Sequence, residues 1–324
     1  MHVLIFGGTG FVGLNIADRL LDGGHSVTLF DRAPLPAAAQ RAFAAHGERL
    51  HVVEGDVTDR AAVAAVVGNH VDALLLGAAI TAGAARDAAD PGSILQVNLA
   101  AQVPILELAR DAGIKRIINL SSAAAYGASG QRFAVLEEET PCDPVALYPI
   151  TKFASERVAA RLADLWQMDI ISVRLSGVFG PWERAGGVRD TPSPQALIMA
   201  CCTEQRSALL SDAGEKDWVY ALDVAAAVQL LLEAERPRHD LYNISSGMTY
   251  TAEAWGEAFA TLNPGFTCRL AGTGEAPTVM VHGPIRAPLS VRRIEDEFNW
   301  HASFDCGASA DHLSRWLREH GGVA

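Results

Sequence analysis

Short, almost wholly apolar runs recur along the first half of the chain, at residues 3–6, 26–30, 50–53, 73–76, 117–120 and 169–174. A strand with one wet face alternates apolar and polar residues. These runs do not alternate, so they predict parallel strands covered on both faces. Between them lie stretches rich in Ala and Leu, at 12–22, 61–67, 95–111 and 151–165, with apolar residues at helical spacing. The alternation of strand and helix predicts an α/β fold built on a doubly wound parallel sheet.

After Arg174 the rhythm changes. Residues 177–195 are rich in Gly, Pro and Arg. A helical pattern at 223–234 and an apolar run at 241–245 predict a return to the sheet. From 246 onward the elements are mixed, and Met199-Ala200-Cys201-Cys202 reads as a buried helix segment. The expected organisation is a Rossmann domain of residues 1–175 plus about 217–245, with a smaller discontinuous C-terminal substrate domain from 176–216 and 246–324. No repeat or low-complexity tract interrupts it, and 37–39 is too short to be a linker.

At 324 residues the chain is long enough to bury a large core. Its net charge of −12 argues against nucleic acid and against an anionic membrane as partner, while leaving room for an anionic small substrate met by a few local cations. The five Cys, at 142, 201, 202, 268 and 306, form no CxxC pair and read as free thiols of a reducing compartment. No basic segment precedes the first strand and no cleavage site follows it, and no apolar run reaches the roughly 18 residues of a membrane span. A cytoplasmic protein is expected. The ten His show no ligand spacing, so no metal site is expected; His312 and His320 fall in a polar C-terminal helix pattern.

Candidate chemistry begins directly after the first run, with Gly7-Gly8-Thr9-Gly10-Phe11-Val12-Gly13. Gly7 allows a sharp turn out of the strand, Gly10 lets backbone approach a pyrophosphate, and Gly13 lets the helix lie close on the sheet. Phosphates then sit on the helix N-terminus, where N–H groups and the helix dipole favour anions. Asp31 ends the second strand about 18 residues beyond Gly13, near the spacing of a carboxylate on the adenosine ribose, and such a carboxylate favours NAD over NADP. Arg32 beside it offers a partner to a 2′-phosphate and works the other way.

A second constellation lies in Tyr148-Pro149-Ile150-Thr151-Lys152, with Ser122 upstream. Tyr and Lys at i and i+4 share a helix face. The Lys charge lowers the phenol's pKa from its usual value near 10, toward that of a base able to accept a hydroxyl proton. The same spacing also occurs in plain surface pairs, and Ser121-Ser122 also suits a strand end. Order and context favour catalysis. Tyr126 and Tyr220 read as packing residues or pocket walls.

With these motifs in place, the chain resembles the extended short-chain dehydrogenase/reductase family, the NAD-dependent epimerase/dehydratase group. The landmarks run in order: the glycine turn, Gly55-Asp56-Val57-Thr58-Asp59, Gly77-Ala78-Ala79, Asn98, Ser121 to Gly127, Tyr148 and Lys152, Arg174 and Gly180-Pro181, Asp217 to Tyr220, Asp223-Val224-Ala225, and Tyr242 to Gly247. The resemblance implies NAD as cofactor. It implies Asp56 and Val57 at the adenine, Gly77, Ala78 and Ala79 along the cofactor's middle, Asn98 and Val178 among the cofactor contacts, and Ser122 at the substrate oxygen. It also implies a homodimer through the helices at 95–111 and 151–165.

Departures from the family narrow the substrate. Sugar-nucleotide 4,6-dehydratases carry an Asp-Glu pair where this chain has Ala123 and Ala124, which removes the acid needed to expel water. Where nucleotide-sugar epimerases have an Asn, an Arg and a late acid, this chain has Gly177, Lys216 and Ser290. Lys meets a phosphate as a point charge, without the bidentate fork of Arg. The loop with Arg184 and Arg189 borders the expected cleft, and reads equally as a receiver of a carboxylate or phosphate and as solvated surface. The leading expectation is an NAD-dependent dehydrogenase of a small polyhydroxylated substrate, a sugar or sugar acid, with Ala123, Ala124, Arg184, Arg189 and Lys216 near it. A sugar or nucleotide-sugar epimerase that retains NAD is the alternative, and a cofactor-dependent binding or sensor protein is the alternative of another class.

Overall fold

The computed structural model describes residues 1–184, 190–281 and 286–320. Seven strands form one sheet: β1 His2–Phe6, β2 Ser26–Asp31, β3 Leu50–Glu54, β4 Ala73–Leu76, β5 Arg116–Ser122, β6 Asp169–Leu175 and, after three short strands elsewhere, β10 Leu241–Ile244. Their order is β10-β6-β5-β4-β1-β2-β3, and every pairing is parallel. The chain reverses direction across the sheet between β1 and β4, the place where α/β folds open a crevice.

Alternation along β1 builds a core on each face. Val3 and Ile5 pack with Leu14, Ile16 and Leu20 of the helix Phe11–Asp22 and with Val224, Val228 and Leu231 of the helix Ala221–Glu233. Leu4 and Phe6 pack the other way, with Val63, Ile105, Leu106 and Ala159. Four of the five β1 residues are fully buried, which is why the run reads as continuous apolar sequence.

Two helices depart from the periodicity. The stretch 95–111 divides into Pro91–Leu95, a π-turn Gln96–Ala100 and a helix Gln102–Asp111. The break centres on Asn98, whose fully buried amide is drawn inward to polar partners. The helix expected from 151 starts earlier and runs Leu147–Trp166. Pro149 lies in its first turn, where an absent N–H costs nothing. Residues 37–39 lie inside a short helix, Ala37–Phe43.

The smaller strands lie outside the main sheet. β7 Gly177–Phe179 pairs with β9 Trp218–Tyr220, and β8 Ala208–Leu210 pairs with β11 Cys268–Leu270. They pack with the helices Pro194–Thr203, Ala252–Thr261 and Cys306–His320 around Trp255. The Trp255 ring stacks on Phe259 at 5.1 Å and meets Phe179 edge-on at 5.7 Å. Its indole N–H donates to Ser309. Met199 and Cys201 are buried in the Pro194–Thr203 helix, and all five Cys are free. Among the described residues no helix is long and apolar enough to cross a membrane.

Candidate active site

The glycine turn leaves β1 at Gly7, where φ is +78° and a Cβ would lie 2.7 Å from the Ala78 backbone nitrogen. The turn therefore touches the segment after β4, and only Gly fits both the conformation and the contact. The helix Phe11–Asp22 starts at Gly10 with no side-chain cap, which leaves its positive end open to an anion. This cradle suits the pyrophosphate of a dinucleotide.

Asp31 ends β2 and accepts from two backbone N–H groups, Thr9 at 3.2 Å and Ala33 at 3.1 Å. Each oxygen keeps a second lone pair, so the carboxylate is fixed in place and still able to accept. Arg32 beside it is exposed. Asp56 accepts from the Thr58 backbone N–H at 2.9 Å and its hydroxyl at 2.7 Å, and these bonds hold its carboxyl below the usual range. Val57, next to Asp56, borders a small recess with Ala78, Phe6, Leu76, Gln102 and Ile105.

Asn98 stands differently from expectation. Its carbonyl accepts from Ile80 N at 2.7 Å, and its amide donates to Ile80 O at 3.0 Å and to Thr151 Oγ1 at 3.1 Å. With 0% exposure and both donors engaged, it shapes the groove through the residues after β4 instead of lining it. The Thr151 hydroxyl in turn donates to the Tyr148 carbonyl, so one chain of bonds fixes Ile80, the residue after Gly77-Ala78-Ala79, against the first turn of the Leu147–Trp166 helix.

That helix carries Tyr148 and Lys152. Lys152 is 3% exposed, and its ammonium donates to Leu120 O at the end of β5, at 2.7 Å. The ammonium lies 5.8 Å from the centre of the Tyr148 ring. Burial pushes the Lys152 pKa down to about 8, while the Glu156 carboxylate one turn on pulls it up. Ser122, two residues beyond Leu120, caps the turn Ala123–Tyr126 by accepting from Ala124 N at 3.1 Å. Ser122, Tyr148 and Lys152 thus gather at the C-terminal end of β5, beside the glycine turn of β1 across β4.

Several supporting groups carry weak sequence signals or none. Glu156 is paired with Arg174 of β6, Nη2 to Oε2 at 2.7 Å and Nε to Oε1 at 3.0 Å, and also accepts from the Ser121 hydroxyl. Its spacing of four from Lys152 was a usable signal. Asp87 accepts from Leu147 N at 3.0 Å, at the start of the Tyr148 helix. Nothing in the spacing marks it, because the helix start itself was misplaced. Tyr126 and Tyr220 are buried, with hydroxyls on Asn243 and His312.

On the substrate side, Val178 is buried in β7. Ala123 is fully buried and Ala124 partly so. Lys216 holds its ammonium over the Trp218 ring, 4.9 Å from the centre. Arg184 is half-buried, and Arg189 lies outside the described residues. Asp190 accepts from Gly83 N at 3.2 Å and pairs with Arg86 at 3.3 Å, tying the far end of that loop to the segment after β4.

A parallel sheet with an uncapped helix start at its switch point, an acid ending β2 and a Tyr-Lys helix beside β5 is a dinucleotide-binding enzyme fold. A sequence profile of the NAD dependent epimerase/dehydratase family matches residues 3–245, and the chain belongs to that family. It is therefore an enzyme of the extended short-chain dehydrogenase/reductase group with NAD as cofactor. It is similar to a UDP-glucose 4-epimerase of Corynebacterium glutamicum, 25% identical over 270 residues that cover 78% of each chain. It is also similar to a 3 beta-hydroxysteroid dehydrogenase/Delta 5-->4-isomerase of Mycobacterium tuberculosis, 34% identical over 186 residues, 55% of this chain and 47% of that one. Among solved structures, a UDP-glucose-4-epimerase from Stenotrophomonas maltophila with bound NAD and formylated UDP-arabinopyranose superposes with a TM-score of 0.83 at 23% identity, covering 100% of both chains.

Proposed function

We propose that this enzyme is an NAD-dependent dehydrogenase that oxidises a hydroxyl of a small polyhydroxylated substrate, a sugar or sugar acid. The observation that carries the reading is the buried Lys152 ammonium, held on the Leu120 carbonyl beneath Tyr148 at the strand end that also bears Ser122. A cation under a phenol favours its ionised form. Tyr148 then takes the proton of the substrate hydroxyl, and Ser122 donates to the same oxygen. NAD held in this groove would supply the acceptor for the hydride of the alcohol carbon. Asp31 accepts from the adenosine ribose and Asp56 from the adenine edge. Ala123 and Ala124 offer no acid to expel water, so dehydration is not proposed. The similarity to a 3 beta-hydroxysteroid dehydrogenase favours net oxidation of an alcohol without a nucleotide handle.

Similarity to UDP-glucose 4-epimerases supports a second reading, an epimerase that keeps its NADH and returns hydride to the other face of the carbon. One measurement separates the two. A dehydrogenase releases NADH, seen at its absorbance band, in proportion to substrate consumed. An epimerase turns substrate over without added cofactor, and a binding protein does neither. A substrate panel of free sugars and sugar acids giving no NADH overturns the dehydrogenase reading.

The enzyme is also proposed to act as a cytoplasmic homodimer. Leu95, Ile150 and Leu165 are 43%, 38% and 55% exposed on the two helical regions at 91–111 and 147–166, an apolar face suited to a second copy. Light scattering that gives a monomer mass overturns this.

A further inference from the structure

Three histidines from three separate segments meet at the amino-terminal end of the main sheet, the end away from Ser122 and Tyr148. His2 opens β1, His51 is the second residue of β3, and His70 lies in the turn that leads into β4. The sheet register explains the meeting. Leu4 of β1 pairs with Thr28 of β2, and Thr28 pairs with His51. Partners in register point to one face, and residues two apart along a strand share it, so His2, Thr28 and His51 stand on the same face. The His2 ring centre lies 5.3 Å from that of His70 and 6.0 Å from that of His51. Two imidazoles held at ~2.0–2.1 Å by one tetrahedral ion have ring centres about 5 Å apart. The rings are thus spaced much as co-ligands are.

Their surroundings suit an ion as well. His2 Nε2 is hydrogen-bonded to the buried Thr28 Oγ1 at 2.8 Å. A ligating His gives its second ring N–H to a fixed acceptor. With Nε2–H on Thr28, Nδ1 keeps its lone pair. Asp72 is fixed beside the group, its Oδ2 accepting from His2 N at 2.7 Å, and adds a carboxylate. His51 and His70 are exposed, so their rings can turn inward without disturbing the core. Such a turn is required, because among the described residues only Asp18, Asp22 and His46 bring three ligand atoms within 4.8 Å of one another. That tighter cluster has the wrong tautomer. Arg49 donates to His46 Nδ1 at 3.2 Å, which leaves the ring proton on Nε2, 3.7 Å from Asp22. A protonated nitrogen offers no lone pair to an ion.

We propose that His2, His51 and His70, with Asp72, form a binding site for a divalent transition-metal ion of the class that takes imidazole ligands, for which Zn²⁺ is the probe. The ion would clip the edge strand β3 to β1 and to the turn before β4. The site is independent of the proposed reaction. Sequence spacing conceals it, because each imidazole comes from a different element.

The test is calorimetric titration of the full chain with Zn²⁺, together with thermal melts. The wild type is expected to bind Zn²⁺ with a Kd below about 100 μM. His51→Ala and His70→Ala, both at exposed positions, are each expected to weaken binding at least about tenfold. Zn²⁺ is expected to raise the melting temperature of the wild type, since an ion held only by the folded chain stabilises it, and to raise that of either variant less. His46→Ala is expected to leave Zn²⁺ affinity unchanged. A wild-type Kd above about 100 μM overturns the proposal. A loss under about threefold in either His51→Ala or His70→Ala overturns it too. Binding lost in His46→Ala and kept in the other two variants places the ion at Asp18 and Asp22, and overturns it as well.

Discussion

In the proposed mechanism the Tyr148 hydroxyl is the base, and the rest of the ring serves only packing. Tyr148→Phe keeps the packing and the Lys152 geometry while removing that hydroxyl. The expected result is a kcat lower by about two to four orders of magnitude with NAD affinity nearly unchanged; turnover near wild type removes Tyr148 from the mechanism. At Asp31 the relevant balance is between its fixed carboxylate and the exposed Arg32. The wild type is expected to prefer NAD, and Asp31→Ala to narrow that preference, because the carboxylate that repels a 2′-phosphate is gone and Arg32 remains. Comparing kcat/KM for the two cofactors decides it, and a wild-type preference for NADP means Arg32 dominates. The glycine turn after β1 and the place of Asp31 at the end of β2 were legible because glycines and acids at fixed spacing report backbone requirements directly. Asn98 was legible as a landmark but not in its role. Whether an amide faces a ligand or its own chain depends on a bulge that periodicity does not encode.

Among the elements, the Leu147–Trp166 helix is held from behind by charge. Glu156 and Arg174, 5% and 3% exposed, form a bidentate pair between this helix and β6. Removing one partner leaves the other buried without compensation. Glu156→Gln is expected to lower stability by about 3–5 kcal/mol in urea unfolding, and a change under about 1 kcal/mol contradicts the buried pair. The helix Phe11–Asp22 carries a charge problem of the opposite kind. Asp18 lies mostly buried one turn from Asp22, and burial, then Asp22, raises its pKa from 3.8 to about 6, with His46 and His320 opposing. The folded state thus holds this proton more tightly than the unfolded chain. Ionisation costs the fold nothing below pH 3.8 and its full amount above about 6. Asp18→Asn is expected to stabilise by about 1–2 kcal/mol at pH 7.5, allowing for partial exposure. The gain should vanish near pH 4. Thermal melts at both pH values test the sign, and equal gains at both contradict it. Five of the main-sheet strands, β1, β2, β4, β5 and β6, were legible from apolar runs because both faces are covered, whereas β3 at the sheet edge is largely exposed. The helix boundaries were not, since Pro149 and Asn98 act through the first turn and a tertiary contact.

For the molecule as a whole, the glycine turn and the Tyr-Lys helix come from segments far apart in the chain, joined through the segment after β4 by contacts such as Gly7 to Ala78 and Asn98 to Ile80 and Thr151. The sheet order β10-β6-β5-β4-β1-β2-β3 adds a consequence for how the molecule is made. β2 and β4 pair with β1, β3 with β2, β5 with β4, β6 with β5 and β10 with β6. Every main-sheet strand after β1 therefore finds one neighbour already synthesised when it emerges from the ribosome. Growth proceeds outward from β1 on both sides, and the glycine turn and its flanking strands β1, β2 and β4 are made well before the small strands and helices that pack around Trp255.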